Sequence, residues 1–341
     1  MSCRDWLNRL GMLGLTLWGV SLISFFLIRW VPGDPVMLMI GERGASPEAI
    51  AELRARLGLD ASLPVQYFRF VTQALQGDLG VSILSGRPVM QEFRERFAAT
   101  AELGGLAMIL AVLVGVPLGV SAASWRGRWW DRVATSMSVA LYSLPIFWWG
   151  LVAIALVSVR WALLPVSGRI GVEFDVPMWS GLLFIDVWRA DEGGWPAFVS
   201  AIRHAMLPAL VLATVPLAVI TRMTRSSFLD VLNEDYVRAA RAKGLSRPRV
   251  LFVHALRNAL VPVVTVIGLM LGTILTGAIL TESIFSWPGL GRWLVSAVIS
   301  RDYPVIQGGV LLVAVVVLVT SLSVDALNVW LSPRLRTRGR S

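Results

Sequence analysis

Reactive side chains are scarce in this chain. It has one cysteine, Cys3, so an intrachain disulfide is excluded and the loops must hold together without one. The only histidines, His204 and His254, lie 50 residues apart and far in sequence from Cys3, an unpromising set for a zinc cage. Lysine occurs once, as Lys243, and no Gly-x-x-x-x-Gly-Lys-Ser/Thr loop is present. Without backbone amides and a lysine arranged to cradle phosphates, ATP hydrolysis by this chain is not expected. A Gly-x-Ser-x-Gly nucleophile turn is also missing, and no apolar stretch holds the acid pair or Ser/His set an intramembrane protease would need. No catalytic residue, metal ligand or directly bound cofactor is therefore assigned. Internal repeats and low-complexity tracts are absent as well.

Charge is sparse: 16% of the 341 residues are charged and 56% are hydrophobic, where soluble proteins carry about a quarter charged residues. The composition is that of an integral membrane protein. About 20 apolar residues cross the hydrocarbon layer, and six stretches qualify, near 10–30, 100–124, 133–160, 204–223, 260–281 and 305–330. An even number puts both termini on one side. Grouping the N-terminus, 125–132, 222–258 and the C-terminus collects 17 of the 31 basic residues with only 5 acids. By the positive-inside rule that face is cytoplasmic. The net charge of +9 thus reports topology, with the arginines meeting anionic membrane lipid, and no nucleic-acid partner is implied. Arg4 and Arg9 precede a long apolar run with no small-residue cleavage site before Pro32, so this run reads as a retained first span.

The most informative segment is polar and lies between spans, Asn233 to Pro262. Tyr236 to Lys243 favours helix through Ala239, Ala240 and Ala242, and Gly244 stands where a left-handed C-cap residue belongs. Ser246 is placed to cap a second helix, with Pro248 in its first turn and a broad apolar surface from Val250, Leu251, Phe252, Val253, Ala255 and Leu256. An apolar helix on the cytosolic face needs a partner. Ala239, Ala240, Gly244 and Pro262 resemble the docking loop of the membrane subunits of ATP-binding-cassette importers, with Arg238 in place of that pattern's Glu. Asp235-Tyr236-Val237-Arg238 and His254-Ala255-Leu256-Arg257-Asn258 are similar to the dipeptide and oligopeptide branch.

The same branch is resembled near the N-terminus by Pro32-Gly33-Asp34-Pro35, Leu57-Gly58-Leu59-Asp60, Pro64-Val65-Gln66-Tyr67 and Gly77-Asp78-Leu79-Gly80. Within this excursion, Ser46 and Pro47 open one expected helix ending before Gly58, and Pro64 opens another reaching about Gln76. A second outer loop, 161–203, holds Asp175, Asp186, Asp191 and Glu192 with Trp179, Trp188 and Trp195. Its tryptophans read either as bilayer anchors or as contacts for an extracytoplasmic binding protein. A third outer segment, Glu282 to Pro304, contains the turn-rich run Ser286-Trp287-Pro288-Gly289-Leu290-Gly291, again similar to the family.

Several spans carry features of movement or close packing. Pro117, Pro145, Pro208, Pro216 and Pro262 lie in or at the ends of spans, where proline removes an amide donor and bends a helix, through either motion or packing. In the fifth span Gly268, Gly272 and Gly277 offer a face for close helix approach. Gly268, Gly272, Gly277, Glu282, Pro288 and Gly289 form the candidate gate or packing set. Asp325 reads as a partner for basic residues near the inner surface in preference to a transport group. The ending Ser332-Pro333-Arg334 is similar to the family's Asp-Pro-Arg without its acid.

The resemblance implies an all-α membrane protein of the type I importer transmembrane fold, six spans, N-in and C-in, in a bacterial inner membrane. Its expected organisation is a first span and outer cap over 1–94, the importer transmembrane domain over 95–330 with its coupling loop at 228–259, and a basic cytoplasmic tail over 331–341. It implies half of a translocation pathway for peptides or similar small solutes. The expected partners are two ATP-binding subunits, which use ATP and Mg, a second homologous permease subunit and an extracytoplasmic solute-binding protein. The expected coupling residues are Asp235, Tyr236, Ala239, Ala240, Lys243, Gly244, Leu245, His254, Arg257, Asn258 and Pro262. Alternatives are a nickel- or glutathione-type permease of the same branch, or an ion-coupled transporter or channel acting alone. The lone transporter would call for inverted repeats and midplane ionisable residues, and it leaves the docking loop without a use. A scaffold that only recruits cytoplasmic proteins would explain the loop but not the proline-bent spans.

Overall fold

The computed structural model describes residues 3–30, 46–48, 51, 60–191 and 193–331. Pro32-Gly33-Asp34-Pro35, most of the helix expected from Ser46 to Gly58, Leu57-Gly58-Leu59, Glu192, the side chain of Asp325 and Ser332-Pro333-Arg334 lie outside the described residues. Among the described residues the fold is all-α, and β pairing is confined to one bridge between Val81 and Pro88. The helices are α1 (Cys3–Trp30), α2 (Leu63–Leu75), α3 (Val89–Ser124), α4 (Trp129–Ser143), α5 (Ile146–Ala153), α6 (Leu183–Asp186), α7 (Trp195–Leu232), α8 (Asp235–Ala242), α9 (Arg247–Arg249), α10 (Leu256–Ile284), α11 (Leu290–Ser300) and α12 (Tyr303–Leu331). Two π-helical stretches, Ile154–Arg160 after α5 and Val250–Ala255 between α9 and α10, complete the order.

Four helices among the described residues are long and apolar enough to cross a membrane: α3, α7, Arg247–Ile274 and Tyr303–Val324. A fifth is added if α4 and Ile146–Arg160 count as one span. The first expected span is helical as α1, and its apolar stretch Gly11–Phe26 is shorter than a span. The count is therefore four or five by length and composition, against six expected.

Two expectations are corrected. The stretch 133–160 is not one straight span, because its two helices meet at 103°. Leu144 is extended (φ −75°, ψ 130°), as the clash with a following proline ring favours, and Pro145 starts the next helix. The helix capped by Ser246 does not end before the fifth span. Arg247 runs through the π-helical turns into α10 without interruption, and the Ser246 side chain makes no capping bond. In the segment 282–304 the turn-rich run separates α10 from α11, and α11 then fills Leu290–Ser300. Pro117, Pro208, Pro216 and Pro262 all stay inside helices, as happens where neighbouring helices support the freed carbonyls.

Contacts divide the chain into two compact units, Met1–Phe97 with Arg292–Val319, and Ala98–Gly291 with Thr320–Ser341. In the first, Phe25 is buried edge-on against Tyr67 (5.3 Å between ring centres), and Ser21 Oγ lies 2.8 Å from the Tyr67 hydroxyl, tying α1 to α2. Asp302 is buried and accepts from Ser82 Oγ (2.5 Å) and the Leu84 amide (3.2 Å), which holds the Val81–Pro88 turn. Glu92 accepts from the Trp293 indole at 2.8 Å.

In the second unit the core is formed by Leu103, Ala107, Met108 and Ala111 of α3, Ala205, Ala209, Leu212 and Ile220 of α7, Val263, Ile274 and Ala278 of α10, and Trp287. Small residues set the helix spacing. A Cβ at Gly119 would lie 2.5 Å from Thr224 Cβ and 2.7 Å from the Thr221 carbonyl, so α3 and α7 approach backbone to backbone. A Cβ at Gly268 would lie 2.6 Å from Val324 Cγ1. Gly272 and Gly277 have nothing within 4 Å of such a Cβ, so Gly268 alone of this trio closes a contact of that kind.

Candidate functional site

α8 starts at Asp235 and ends where Lys243 (φ −74°, ψ 2°) gives way to Gly244 at φ +77°. That left-handed conformation reverses the chain in three residues, so Ser246 opens the next helix with Pro248 in its first turn. Val237 and Val250 (0% and 2% exposed) meet across the turn with Ala240, and Val231, Leu232 and Leu245 pack against them. Burying two valines stabilises this seat by about 1.5–3 kcal/mol each. A second cluster joins Val120 and Ala123 of α3, Phe228 of α7, and Ala255 and Ala259, with Leu251 and Leu256 alongside. Ser227 Oγ donates to the Ala259 carbonyl at 2.8 Å, a direct bond from α7 to α10.

The remaining positions face outward. Asp235, Tyr236, Arg238, Ala239, Arg241, Lys243 and Gly244 are exposed, as are Arg257 and Asn258. Phe252 and Val253 are 60% and 57% exposed, an apolar pair on the surface. Tyr236 gathers the two ends of the segment: Asn258 Nδ2 donates to its hydroxyl (2.6 Å), which donates to the His254 carbonyl (3.3 Å). The structure thus brings Tyr236, His254 and Asn258 together, with the His254 contact made by backbone. Arg238 bonds the Asn233 carbonyl (2.8 Å) and lies 3.5 Å from Asp235, a solvent-screened pair of little energetic weight. Pro262 is inside α10, beyond the exposed segment.

The gate and packing candidates separate. Glu282 is fully buried and accepts from Thr100 Oγ1 (2.5 Å) and the Gly291 amide (2.7 Å), while Thr100 Oγ1 accepts from the Leu290 amide (2.8 Å). Gly289 presses on it, since a Cβ there would lie 2.1 Å from Glu282 Oε1. Next to this knot the Trp287 indole donates to the Ala99 carbonyl at 2.8 Å, and Ser286 adopts φ +52°. Pro288 follows as part of the break between α10 and α11. A buried carboxylate with this many donors is a fastening between α3 and the start of α11.

Sequence reasoning missed two ion pairs. Glu102 accepts from Arg169 Nε (3.0 Å) and Nη2 (2.5 Å) and from the Phe184 amide (2.7 Å), and the Arg169 guanidinium sits 5.8 Å from the Trp287 ring centre. Asp131 accepts from Arg225 Nε (2.5 Å) and Nη2 (2.8 Å) and from the Gly127 amide (2.9 Å), joining the turn before α4 to α7. Partners 67 and 94 residues apart leave no local signal. Asp186, expected as an acid of the outer loop, is buried and caps Ser180 and Gly181. Trp188, Trp195 and Phe198 cluster within 6.4 Å, with both tryptophans more than half exposed. Among the described residues no group of three His, Cys, Asp or Glu could hold a metal ion.

Comparison with known proteins identifies the family. The family model described as binding-protein-dependent transport system inner membrane component matches residues 115–337, and that for the N-terminal region of such membrane components matches residues 4–104. The dipeptide transport system permease protein DppB of Escherichia coli (strain K12) is 54% identical over 336 residues, 97% of this chain and 98% of the relative. The di/tripeptide transport system permease protein DppB of Pseudomonas aeruginosa (strain UCBPP-PA14) is 52% identical over 329 residues, 96% and 97% of the two chains. The glutathione transport system permease protein GsiC of Salmonella paratyphi A is 42% identical over 327 residues, 95% and 97%. The chain belongs to the binding-protein-dependent transport system inner membrane component family, and is an inner-membrane permease subunit of an ATP-driven importer.

Proposed function

We propose that the permease carries dipeptides, and that the exposed face of Asp235–Asn258 is the seat of the partner ATPase subunits. The observation that carries the seat is the contrast within one short segment: Val237, Ala240 and Val250 anchor it inward while Phe252, Val253 and Tyr236 are left to a partner. The dipeptide reading is supported by relatives named for dipeptide transport at 54% identity, against 42% for one named for glutathione.

In this mechanism two ATPase subunits bind ATP with Mg, close on each other, and carry α8 with them. The anchoring clusters make the segment stiff, and the Ser227–Ala259 bond passes its displacement to α7 and α10 together. Rigid-body tilting of these helices alternates access between the two sides, and ATP binding favours one of the two states. A second, homologous permease subunit completes the pathway, and a binding protein delivers solute from outside. The chain supplies no chemistry to ATP hydrolysis.

The test is uptake of a labelled dipeptide into vesicles holding the full complex. Uptake that requires ATP, the ATPase subunits and the binding protein, and that unlabelled dipeptide suppresses more strongly than glutathione, supports the reading. Uptake by the permease alone would establish a channel or ion-coupled carrier, and preferential suppression by glutathione or by a nickel complex would reassign the solute.

A further inference from the structure

A cavity of about 360 Å³ opens between the end of α3 and the turn joining α8 to α9. Its polar lining comes from Arg241 on α8, Arg247 on α9 and Ser124 of α3, set against Leu232, Leu245, Val250 and Leu251. No carboxylate contributes to the wall. Among the described residues neither arginine has an acidic partner, and the one side-chain hydrogen bond of Arg247 is a long one, 3.4 Å, to the Ser124 carbonyl. Both arginines are exposed residues that also line the cavity, so their charge is open to a ligand arriving from solvent or from the membrane surface.

Two guanidiniums on one cleft repel each other and call for an anion, and their planar forks match the oxygens of a phosphate better than any point charge. The volume lies in the range of small-ligand sites. Leucine and valine on the remaining wall suit an anion with an apolar body, and the positive-inside side of the membrane is where anionic headgroups gather beside basic pockets. We infer that this cavity binds a phosphate group, supplied by the headgroup of an anionic phospholipid from the inner leaflet. The phosphate bridges Arg241 and Arg247 across Gly244 and so braces the turn that carries the docking face. The site is independent of which solute is transported.

The experiment titrates phosphatidylglycerol, phosphatidylcholine and inorganic phosphate separately into the purified full complex in detergent, reading thermal stability of the permease. Expected is a saturable upward shift with phosphatidylglycerol alone, with apparent affinity weakened at least fivefold in Arg241→Gln/Arg247→Gln. A charge-matched control, Arg126→Gln/Arg132→Gln, alters two arginines that are also exposed but lie outside both the cavity and the Asp235–Asn258 segment, and should keep the wild-type affinity. Arg241→Lys/Arg247→Lys, which keeps charge and loses the fork, should fall between. An equal loss in both glutamine pairs, or no shift at all, overturns the site. A full shift with inorganic phosphate overturns the lipid source and assigns free phosphate as the ligand.

Discussion

Gly244 offers a graded test of how backbone geometry at the turn serves coupling. Its φ is +77°, and a Cβ built on it would meet nothing within 4 Å. Any penalty for adding a side chain is therefore conformational and not steric against neighbours. The left-handed region costs a residue with a Cβ about 1–2 kcal/mol, less for asparagine, and more for a β-branched residue. A shift of that size changes a local equilibrium by about 5–30-fold. Replacing Gly244 by Asn, Ala and Val should therefore lower solute-stimulated ATP hydrolysis by the reconstituted complex in that order, with Asn closest to wild type and Ala reduced severalfold. Membrane insertion should be unchanged, because the turn lies outside the apolar core cluster. Equal activity for Gly and Val would refute the reasoning, as would Asn being as damaging as Val.

Glu282→Gln should destabilise the permease by about 1–3 kcal/mol, since an amide has one acceptor oxygen for the two donors Thr100 Oγ1 and Gly291 N–H; a thermal-unfolding midpoint equal to wild type would contradict this. Gly119→Ala should cost about 1–3 kcal/mol through overpacking, because its Cβ meets the Thr221 carbonyl at 2.7 Å, whereas Gly272→Ala, with open space, should be tolerated in the same assay. Asp131→Asn should cost about 1.5–3 kcal/mol by weakening its charged bonds to Arg225. In the double variant Asp131→Asn/Arg225→Gln part of that loss should be recovered, and strict additivity would show that the pair is not coupled.

Much of the fold was legible because the membrane imposes a simple code: long apolar runs are helices, and arginine marks the inner side. The turn at Gly244 was readable for the same kind of local reason, a glycine after an alanine-rich helix and before Ser-Arg-Pro. What local reading handled poorly was the fate of prolines. Pro145 breaks a span because Leu144 goes extended, yet Pro208 and Pro216 pass through α7 unbroken, a difference decided by packing around each residue. The glycine face of the fifth span was only partly informative, since Gly268 closes on Val324 while a Cβ at Gly272 or Gly277 would meet nothing within 4 Å. Glu282 was noticed as an acid at a span end, but its role as a fastening depends on Thr100, 182 residues away. Arg241 and Arg247 read only as topology markers until the cavity between them was visible.

Whether the outward face of Asp235–Asn258 seats the ATPase is decided by site-directed cross-linking. With the single cysteine removed by Cys3→Ser, a thiol-anchored photo-cross-linker is placed at Ala239→Cys, Phe252→Cys or, as a control on the apolar part of α3, Leu113→Cys, all exposed positions. Adducts with the ATPase subunit are expected from Ala239→Cys and Phe252→Cys and none from Leu113→Cys. An intact complex in which neither of the first two positions reaches the ATPase would contradict this seat.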